Sequence, residues 1–170
     1  MTRVWTATVN SPVGPLALAW DAAGALRGLS FGQGLERSLR REYPGLEVEP
    51  AAPPGSLAQG LRAYFAGERA ALASLPWSLD GAASAAGFAG AVWRSLLDVP
   101  AGTTVSYGEL ARRLGDPGAA QAVGVALNRN PLPLVLPCHR VIGADGSLTG
   151  FGGGLERKTW LLRHEGALLI

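Results

Sequence analysis

Residues 106–128, SYGELARRLGDPGAAQAVGVALN, predict two short helices joined by a tight turn. Ser106 and Glu109 have the spacing of a capping box, in which serine closes the helix start and glutamate reaches back. After the Gly-Asp-Pro-Gly turn, Asp116-Pro117 caps a second helix, with proline at its first position, that runs to about Asn128. Two short helices around such a turn predict a helix-turn-helix.

The segments around this unit are also mainly helical. A helix is predicted over residues 88–97, and a last one over 155–165 with Gly166 as its cap. Between them, Val141-Ile142 and the turn residues 143–146 have the pattern of a strand end and a tight turn, like a wing after the helix-turn-helix.

The first half of the chain has a different pattern. Short apolar runs at 4–9, 16–20 and 25–31 predict strands, and helices are expected at 35–43 and around Leu57, Leu61 and Phe65. Small residues at 80–87 without a hydrophobic period indicate a linker. We therefore expect an α+β protein. A small N-terminal antiparallel-sheet domain with helices (1–79) precedes a mostly helical C-terminal domain with a winged helix-turn-helix (80–170).

Bulk properties limit the function. The chain has 170 residues, nearly half of them apolar, and a formal net charge of +2. A nucleic-acid partner would therefore be held by local patches rather than by a strongly basic whole. The N-terminus lacks the apolar core of a signal peptide, and no run reaches the roughly 18 apolar residues of a membrane span. These features predict a cytoplasmic protein, not bound to a membrane, with a reduced thiol.

That thiol is Cys138, the single cysteine of the chain. It can form neither an internal disulfide nor a thiolate metal cluster, so it serves packing or reaction. His139 and Arg140 both favour the thiolate, the reactive form. Because sequence neighbours do not face each other on a helix or strand, a direct Cys–His bond would need an intervening water or a tight turn. The alternative is a buried structural thiol.

The second helix of the pair has few side chains that read bases. Within residues 119–127 only Gln121 can hydrogen-bond to a base, and there is no Arg or Lys until Arg129. Major-groove readers usually present several long polar side chains. A helix of small residues could instead approach a groove closely without reading sequence; those residues are Ala119, Ala120, Ala122 and Gly124. The alternative is a tightly packed internal helix pair.

Two further features have alternative interpretations. Glu165 could orient a base, or it could be a solvated charge at a helix end. The glycine-rich stretch 150–154 is compatible with a flexible loop that lines a pocket. It lacks a preceding strand and the lysine of a phosphate loop, so nucleotide-phosphate binding is rejected.

Together these residues closely resemble the O6-alkylguanine-DNA alkyltransferases, also called methylated-DNA–protein-cysteine methyltransferases. The first half matches more weakly, mainly at residues 11–16. The second half carries the family's motifs in order and spacing: TVSYGELA at 104–111, AVG at 122–124, Asn130-Pro131, LPCHRVI at 136–142 and WLLRHEG at 160–166.

The resemblance implies single-turnover repair of DNA. An alkyl group would move irreversibly from guanine O6, with thymine O4 as a second candidate, to Cys138, and no cofactor is needed because the thiolate is the reagent. His139 would deprotonate Cys138 through a water, and Glu165 would orient His139. The partner is double-stranded DNA carrying alkylated bases, and the protein is expected to be a monomer.

The resemblance also implies roles around the nucleophile. Tyr107 would crowd the target phosphate, help to rotate the nucleotide out and donate to the guanine ring. Asn130 would be the hinge between the recognition helix and the active-site turn. The helix at 119–128 would enter the minor groove. Because that helix has few base-reading side chains and the net charge is small, the phosphate contacts are expected from a few arginines: Arg94, Arg112, Arg113, Arg129 and Arg140. The base pocket, required because the alkylated oxygen is inaccessible in the duplex, would be lined by Val141, Phe151, Gly152 and Gly153.

Two departures from the family pattern affect the function. Gln121 replaces an arginine that usually fills the space of the extruded base, so flipping is expected to be weaker or to need a neighbour such as Arg129. With one cysteine and two histidines, the structural zinc of some relatives is not expected. The alternatives are a non-repairing alkylated-DNA lesion binder of the alkyltransferase-like type, which lacks the cysteine, and a cysteine hydrolase, which the Cys-His order disfavours.

Overall fold

The computed structural model describes residues 3–148 and 150–168 of the chain. The chain forms two compact units, Met1–Ala83 and Ser84–Ile170, which are described here one after the other.

The first unit is built on a mixed sheet. Strands β1 (Arg3–Val9), β2 (Leu16–Trp20), β3 (Leu26–Phe31) and β4 (Glu47–Pro50) lie in the order β3-β2-β1-β4. The three predicted strands pair antiparallel, and every residue of β2 is buried. The sequence did not predict β4, which pairs parallel to β1. All residues of β4 are exposed, and its proline is tolerated because the strand lies at the sheet edge.

Two helices accompany this sheet, α1 (Leu35–Glu42) and α2 (Gly55–Phe65). On α1, Leu35 and Leu39 pack so closely over Gly28 of β3 that an added Cβ there would lie 2.8 Å from Leu35 Cδ1. On α2 the buried face is Leu57, Leu61 and Tyr64 rather than the predicted Phe65, because an i, i+4, i+7 set follows the 3.6-residue period more closely.

A buried ion pair fixes the end of this unit. Arg27 donates its Nε to Asp21 Oδ2 at 2.8 Å, and its Nη1 donates to the carbonyl oxygen of Asp80 at 2.5 Å. Asp21 Oδ1 in turn accepts the backbone N–H groups of Ala23 and Ala25. The pair therefore joins the β2–β3 turn to the last segment of the unit.

The second unit is mostly helical. Its helices are α3 (Phe88–Ser95), α4 (Tyr107–Arg113), α5 (Ala120–Asn128) and α6 (Leu155–His164), and its short parallel strands are β5 (Val105–Ser106) and β6 (Val141–Ile142). The contacts of α5 with α3 and α4 place the helix-turn-helix around one apolar core. The predicted α+β fold class is confirmed.

The local details of the helix pair differ from the sequence pattern in two places. Ser106 accepts the N–H of Glu109 as predicted, but the Glu109 carboxylate pairs with Arg113 and Arg112 instead of reaching back. The second helix begins at Ala120 rather than at Pro117, since Ala119 N–H closes a turn on the Asp116 carbonyl. Attractive i,i+3 and i,i+4 charges explain the first difference.

A buried tryptophan holds α5 in place. Trp93 of α3 is 0% exposed, and its Nε1 donates to the carbonyl oxygen of Ala126 at 2.8 Å. The same carbonyl accepts the N–H of Arg129, so the end of α5 is fixed from two sides. This contact sets the direction in which the outer face of α5 points.

The ion pair of the first unit gives a stability test. Replacing Arg27 by Met leaves the Asp21 carboxylate buried without its cation, so the free energy of unfolding should fall by about 3 kcal/mol in urea denaturation. Arg40→Met is the matched control, because Arg40 and its partner Glu36 have side chains that are 75% and 66% exposed. That control should change stability by less than about 0.5 kcal/mol. Equal losses for the two variants would contradict a structural role of the buried pair.

Candidate active site

The single cysteine lies on a one-turn 3₁₀ helix, Cys138–Arg140, immediately before β6. Asn130, at the end of the helix pair, holds the approach to this turn: its Nδ2 donates to the Leu136 carbonyl at 2.8 Å, and its Oδ1 accepts the Leu132 N–H at 2.9 Å. Cys138 itself is only 8% exposed. The lysine, histidine and glutamate side chains described next surround this turn.

The carboxylate of Glu165 is the centre of the buried hydrogen bonds. Its Oε2 lies 2.8 Å from His139 Nε2, and Arg140 donates Nε to Oε1 and Nη2 to Oε2, both at 2.9 Å. Arg140 Nη1 donates to the Val99 carbonyl at 2.7 Å. Glu165 and His139 are both 0% exposed.

This arrangement decides the charges of the site. Hydrogen bonds from His139 and Arg140 outweigh the burial of Glu165 and hold the pKa of its carboxyl far below the usual range. Burial lowers the pKa of His139, which is therefore neutral at neutral pH. An ionised Glu165 can only accept, so Nε2 of His139 carries the proton and Nδ1 is the basic nitrogen. Among the described residues, Nδ1 has no hydrogen-bond partner.

The resting state of the cysteine differs from the sequence expectation. Burial raises the pKa of the Cys138 thiol to about 11, against the opposing effects of a hydrogen bond with Asn130 and the charge of Lys158. His139 and Arg140 were expected to favour the thiolate. His139 is neutral and the Arg140 guanidinium is bonded to Glu165, so neither lowers the pKa of the thiol. At neutral pH the site holds a thiol.

Lys158 of α6 is a site residue that the sequence reasoning missed. It is 0% exposed, and its Nζ donates to the Val141 carbonyl at 2.6 Å. Burial lowers its pKa to about 8. The helical period could have indicated its burial. Residues 158, 161, 162 and 165 share one face of the helix, and the two leucines between the charged residues are buried. A lysine on an apolar stripe marks a buried charge.

Tyr107, half-buried at the start of α4, lies next to this lysine. Lys158 Nζ is 6.0 Å from the centroid of the Tyr107 ring. A Cβ added to Gly124 would meet the ring at 3.8 Å, and one added to Gly150 would lie 3.0 Å from the hydroxyl oxygen. Gly124 therefore lies half-buried beside the Tyr107 ring, and its predicted contact with DNA stays a prediction.

The outer surface of α5 forms one continuous stripe. Its exposed members are Gln121, Ala122, Val125, Asn128 and Arg129. Ala119 and Ala120 are half-buried at the helix start. Val125 is 57% exposed and, with Asn128, was not predicted as a surface contact. Arg129 lies eight residues beyond Gln121, about 12 Å along the helix axis, so it cannot fill the same space.

The remaining predicted residues lie at different depths. Arg140 is 7% exposed with its guanidinium bonded to Glu165 and Val99, which is not compatible with the predicted phosphate contact. Val141 is 0% exposed and contributes its carbonyl to Lys158. Phe151 and Gly153 are half-buried, and Gly152 is exposed, in the loop before α6.

The described residues, 3–148 and 150–168, contain neither a metal-binding cluster nor a membrane-spanning helix. No group of three or more His, Cys, Asp and Glu side chains in them is placed to hold a metal ion. No helix among them is long and apolar enough to cross a membrane.

Comparison with known proteins identifies the family. Residues 4–79 match the 6-O-methylguanine DNA methyltransferase, ribonuclease-like domain, and residues 87–167 match the 6-O-methylguanine DNA methyltransferase, DNA binding domain. The chain belongs to the methylated-DNA–protein-cysteine methyltransferase family. A member from Shigella flexneri is 42% identical over the whole of both chains, and one from Methanosarcina acetivorans is 42% identical over 96% of this chain and 99% of its own.

Solved structures of this family agree. The Mycobacterium tuberculosis OGT in complex with DNA has a TM-score of 0.77 at 38% identity, covering 98% of this chain and 94% of its own. The O6-methylguanine-DNA methyltransferase from Pyrococcus kodakaraensis has a TM-score of 0.69 at 26% identity, covering 96% and 99%. The prediction of a DNA-binding methyltransferase of direct repair is confirmed at the level of the family, and the comparisons favour it over the lesion-binder alternative.

The buried carboxylate gives a test with a defined pH dependence. Its pKa is depressed by folding, so Glu165 stabilises the protein above the pKa of an unfolded glutamate, about 4.3, and this stabilisation is lost as the pH falls below it. Glu165→Gln should lower the free energy of unfolding by about 3 kcal/mol at neutral pH. In denaturation experiments, the difference in the free energy of unfolding between wild type and Glu165→Gln should become smaller below about pH 4.3.

The matched control is Glu156→Gln, on the exposed first turn of the same helix. It should cost less than about 0.5 kcal/mol. A difference between wild type and Glu165→Gln that stays constant down to about pH 3 would contradict an ionised, stabilising Glu165.

Proposed function

We propose that this protein repairs alkylated DNA by transferring an alkyl group from O6 of guanine to Sγ of Cys138, once per molecule. The observation that carries the proposal is a buried Cys138 thiol directly before His139, whose Nδ1 has no hydrogen-bond partner among the described residues and whose Nε2 is held by Glu165. A site that must change the protonation of a buried thiol needs a neutral base beside it, and His139 is neutral and fixed.

The transfer is a displacement at the alkyl carbon. The sulfur of the Cys138 thiolate forms a bond to that carbon while the carbon–O6 bond breaks, and the bonding electron pair stays on the guanine. The proton that leaves the thiol is balanced by the proton that guanine gains when its carbonyl form is restored. The thioether is stable, so the protein is consumed in the reaction.

His139 has the role of proton acceptor in this proposal. Its Nδ1 would take the thiol proton through a bridging water, since no direct hydrogen bond joins it to Cys138 among the described residues. Proton uptake turns the neutral ring into a cation beside the Glu165 carboxylate, which lies 2.8 Å from Nε2. Glu165 therefore stabilises the charged histidine at the moment when the thiolate forms.

Tyr107 would act on the base and on the backbone of the target strand. Its hydroxyl oxygen faces the backbone of Gly150, so the flipped guanine would enter between α4 and the loop at 150–153. We assign Tyr107 as the donor to the guanine ring, with Phe151, Gly152, Gly153 and the backbone of Val141 along the pocket. A glycine at 150 keeps the hydroxyl accessible, because a Cβ would lie 3.0 Å from it.

The outer stripe of α5 is the proposed DNA contact. Ala122 and Val125 have short apolar side chains, so this stripe could approach the sugars of the minor groove closely. Asn128 and Arg129 would lie beside the phosphates. Gln121 would occupy the space of the extruded base. Arg140 takes no part, because it is bound to Glu165. The reaction requires a reducing compartment such as the cytoplasm, where a single cysteine remains a thiol.

The first test is the fate of the alkyl group. Wild-type protein incubated with O6-methylguanine DNA should gain one methyl group by mass spectrometry, and peptide mapping should place it on Cys138. Cys138→Ser should gain none and should bind the same DNA within a few-fold of wild type, because the nucleophile is lost and the outer stripe of α5 is unchanged. A wild-type protein that binds the lesion without gaining mass would be a lesion binder, and a methyl group on another residue would refute the assignment.

The second test concerns Gln121. A glutamine is shorter than arginine and uncharged, so it should stabilise the extruded state less. Opening an intact pair costs a few kcal/mol, and less at a mismatch or in a single strand. We expect Gln121→Arg to raise the transfer rate on paired duplex by about tenfold, equivalent to about 1.4 kcal/mol.

The control for this test is the free alkylated base, which needs no flipping. Its reaction rate should be the same for wild type and Gln121→Arg, and the rate on single-stranded DNA should change little. If the substitution altered the duplex and free-base rates equally, Gln121 would act on the pocket or on folding rather than on extrusion.

A further inference from the structure

One buried leucine shortly before the nucleophile has a backbone conformation that its side chain opposes. Leu134 has a φ of 74°, and in the described parts of the chain it is the one residue other than glycine whose φ is positive. This left-handed region is disfavoured for L-residues because the Cβ comes too close to the following carbonyl oxygen. Such strain persists only where the surrounding structure holds it, so Leu134 requires a physical explanation.

Hydrogen bonds close the turn in which Leu134 lies. The Leu136 N–H donates to the Leu132 carbonyl at 2.8 Å, which encloses residues 133–135 in one turn. Asn130 binds both ends of this turn, because its Oδ1 accepts the Leu132 N–H and its Nδ2 donates to the Leu136 carbonyl. Leu134 is the middle residue of the turn, so its φ determines how the two ends meet.

This closed turn is joined directly to the nucleophile. The Leu136 carbonyl that Asn130 binds also accepts the Cys138 N–H at 2.8 Å. Pro137 lies between them with φ −79° and ψ 71°, the geometry of an inverse γ-turn. A change of φ at Leu134 would therefore move the Leu136 carbonyl and, with it, the backbone of Cys138.

The side chain of Leu134 counteracts the backbone strain. It is 1% exposed, and its neighbours Leu132, Val135 and Leu136 are also buried. Burying a leucine side chain is favourable by an amount comparable to the cost of a left-handed backbone. A glycine would adopt the positive φ without strain, but it would adopt a negative φ as readily. Leucine therefore restricts the turn to one conformation, whereas glycine would allow several.

We propose that Leu134 is a positioning residue for the transfer reaction, and that its buried side chain holds the strained turn that presents the Cys138 sulfur to the alkyl carbon. Leu134 acts through the Leu136 carbonyl and takes no part in forming or breaking bonds. The proposal rests on the proposed function, in which the sulfur must lie in line with the breaking carbon–O6 bond. A misplacement of about 1 Å can lower the rate of such a step by about 100-fold.

The strain is tested by comparing glycine with alanine at two buried leucines of the same turn, by urea denaturation. At Leu132, where φ is not positive, the unfolding equilibrium constant should be about threefold higher for Leu132→Gly than for Leu132→Ala, because glycine gives the unfolded chain more freedom. At Leu134 the order should reverse, with a value about threefold lower for glycine than for alanine, because only alanine is strained there. The same order at both positions would overturn the proposal.

The positioning role is tested by two reactions of the same sulfur, measured by mass spectrometry on protein that is folded by circular dichroism. At saturating O6-methylguanine DNA, Leu134→Ala should transfer methyl about tenfold more slowly than wild type, with DNA affinity within a few-fold. Iodoacetamide should alkylate the same variant about tenfold faster, because release of the turn exposes a thiol that is 8% exposed in wild type. Leu134→Gly should lie between wild type and Leu134→Ala in both reactions, since it can still adopt the positive φ.

Two control variants separate this role from a general loss of stability. Leu134→Met keeps a buried apolar side chain of similar volume, so both rates should stay within a few-fold of wild type. Leu57→Ala removes a fully buried leucine from α2 in the first unit. It should lower the stability and leave both rates of the folded protein at their wild-type values.

A measurement on wild-type protein keeps the proposal testable if the small side chains at 134 prevent folding. A positive φ brings the amide hydrogen and the Hα of one residue close together, so Leu134 should show a strong nuclear Overhauser effect between them. A weak effect, as at a residue with negative φ, would overturn the proposal.

The two reactions of Cys138 should change in opposite directions in Leu134→Ala. If both changed in the same direction, if only one changed, or if neither changed, the positioning role would be refuted. Urea denaturation and iodoacetamide need no DNA. A wild-type protein that took no methyl from DNA would refute the proposed function, while the order of the glycine and alanine variants and the iodoacetamide rates would still show whether Leu134 fixes the turn.

Discussion

The bidentate contact between Glu165 and Arg140 is the constraint on which the candidate site depends. Glu165 follows the last turn of α6, where the helix dipole disfavours a negative charge, and it is fully buried. Both disadvantages are offset because Arg140 supplies two hydrogen bonds and a positive charge, and His139 supplies a third hydrogen bond. Arginine suits this position, since its planar fork matches a carboxylate.

As a consequence, the nucleophile, its base and the last helix are held together as one structural unit. Cys138 lies next to two residues that Glu165 immobilises, and Lys158 holds the following strand from the same helix. A buried thiol with a raised pKa is inert toward most electrophiles, which suits a residue that can be used once. In the proposed reaction the thiolate forms only when His139 can take its proton.

The DNA-facing surface follows a different principle. Trp93 and Tyr107 pack against the inner side of α5, and its outer side is a stripe of small and apolar residues. Such a surface approaches a groove closely and reads little sequence, as repair of a lesion at any position requires. In this proposal the target base must be extruded before transfer, and Gln121 is the residue assigned to the space that the base leaves.

The sequence by itself determined the family, the fold class and the identity of the nucleophile, because turn residues, helical periods and one cysteine are local features. It did not predict β4, whose exposed Glu-Val-Glu-Pro segment becomes a strand only by pairing with β1. It misplaced Arg140 on DNA and missed Lys158, because a charged side chain is exposed by default until tertiary packing supplies a buried partner. The raised pKa of the Cys138 thiol and the position of Gly124 beside the Tyr107 ring were likewise decided by the tertiary structure. Burial and three-dimensional neighbours set pKa values and side-chain contacts, and neither is encoded in residue spacing.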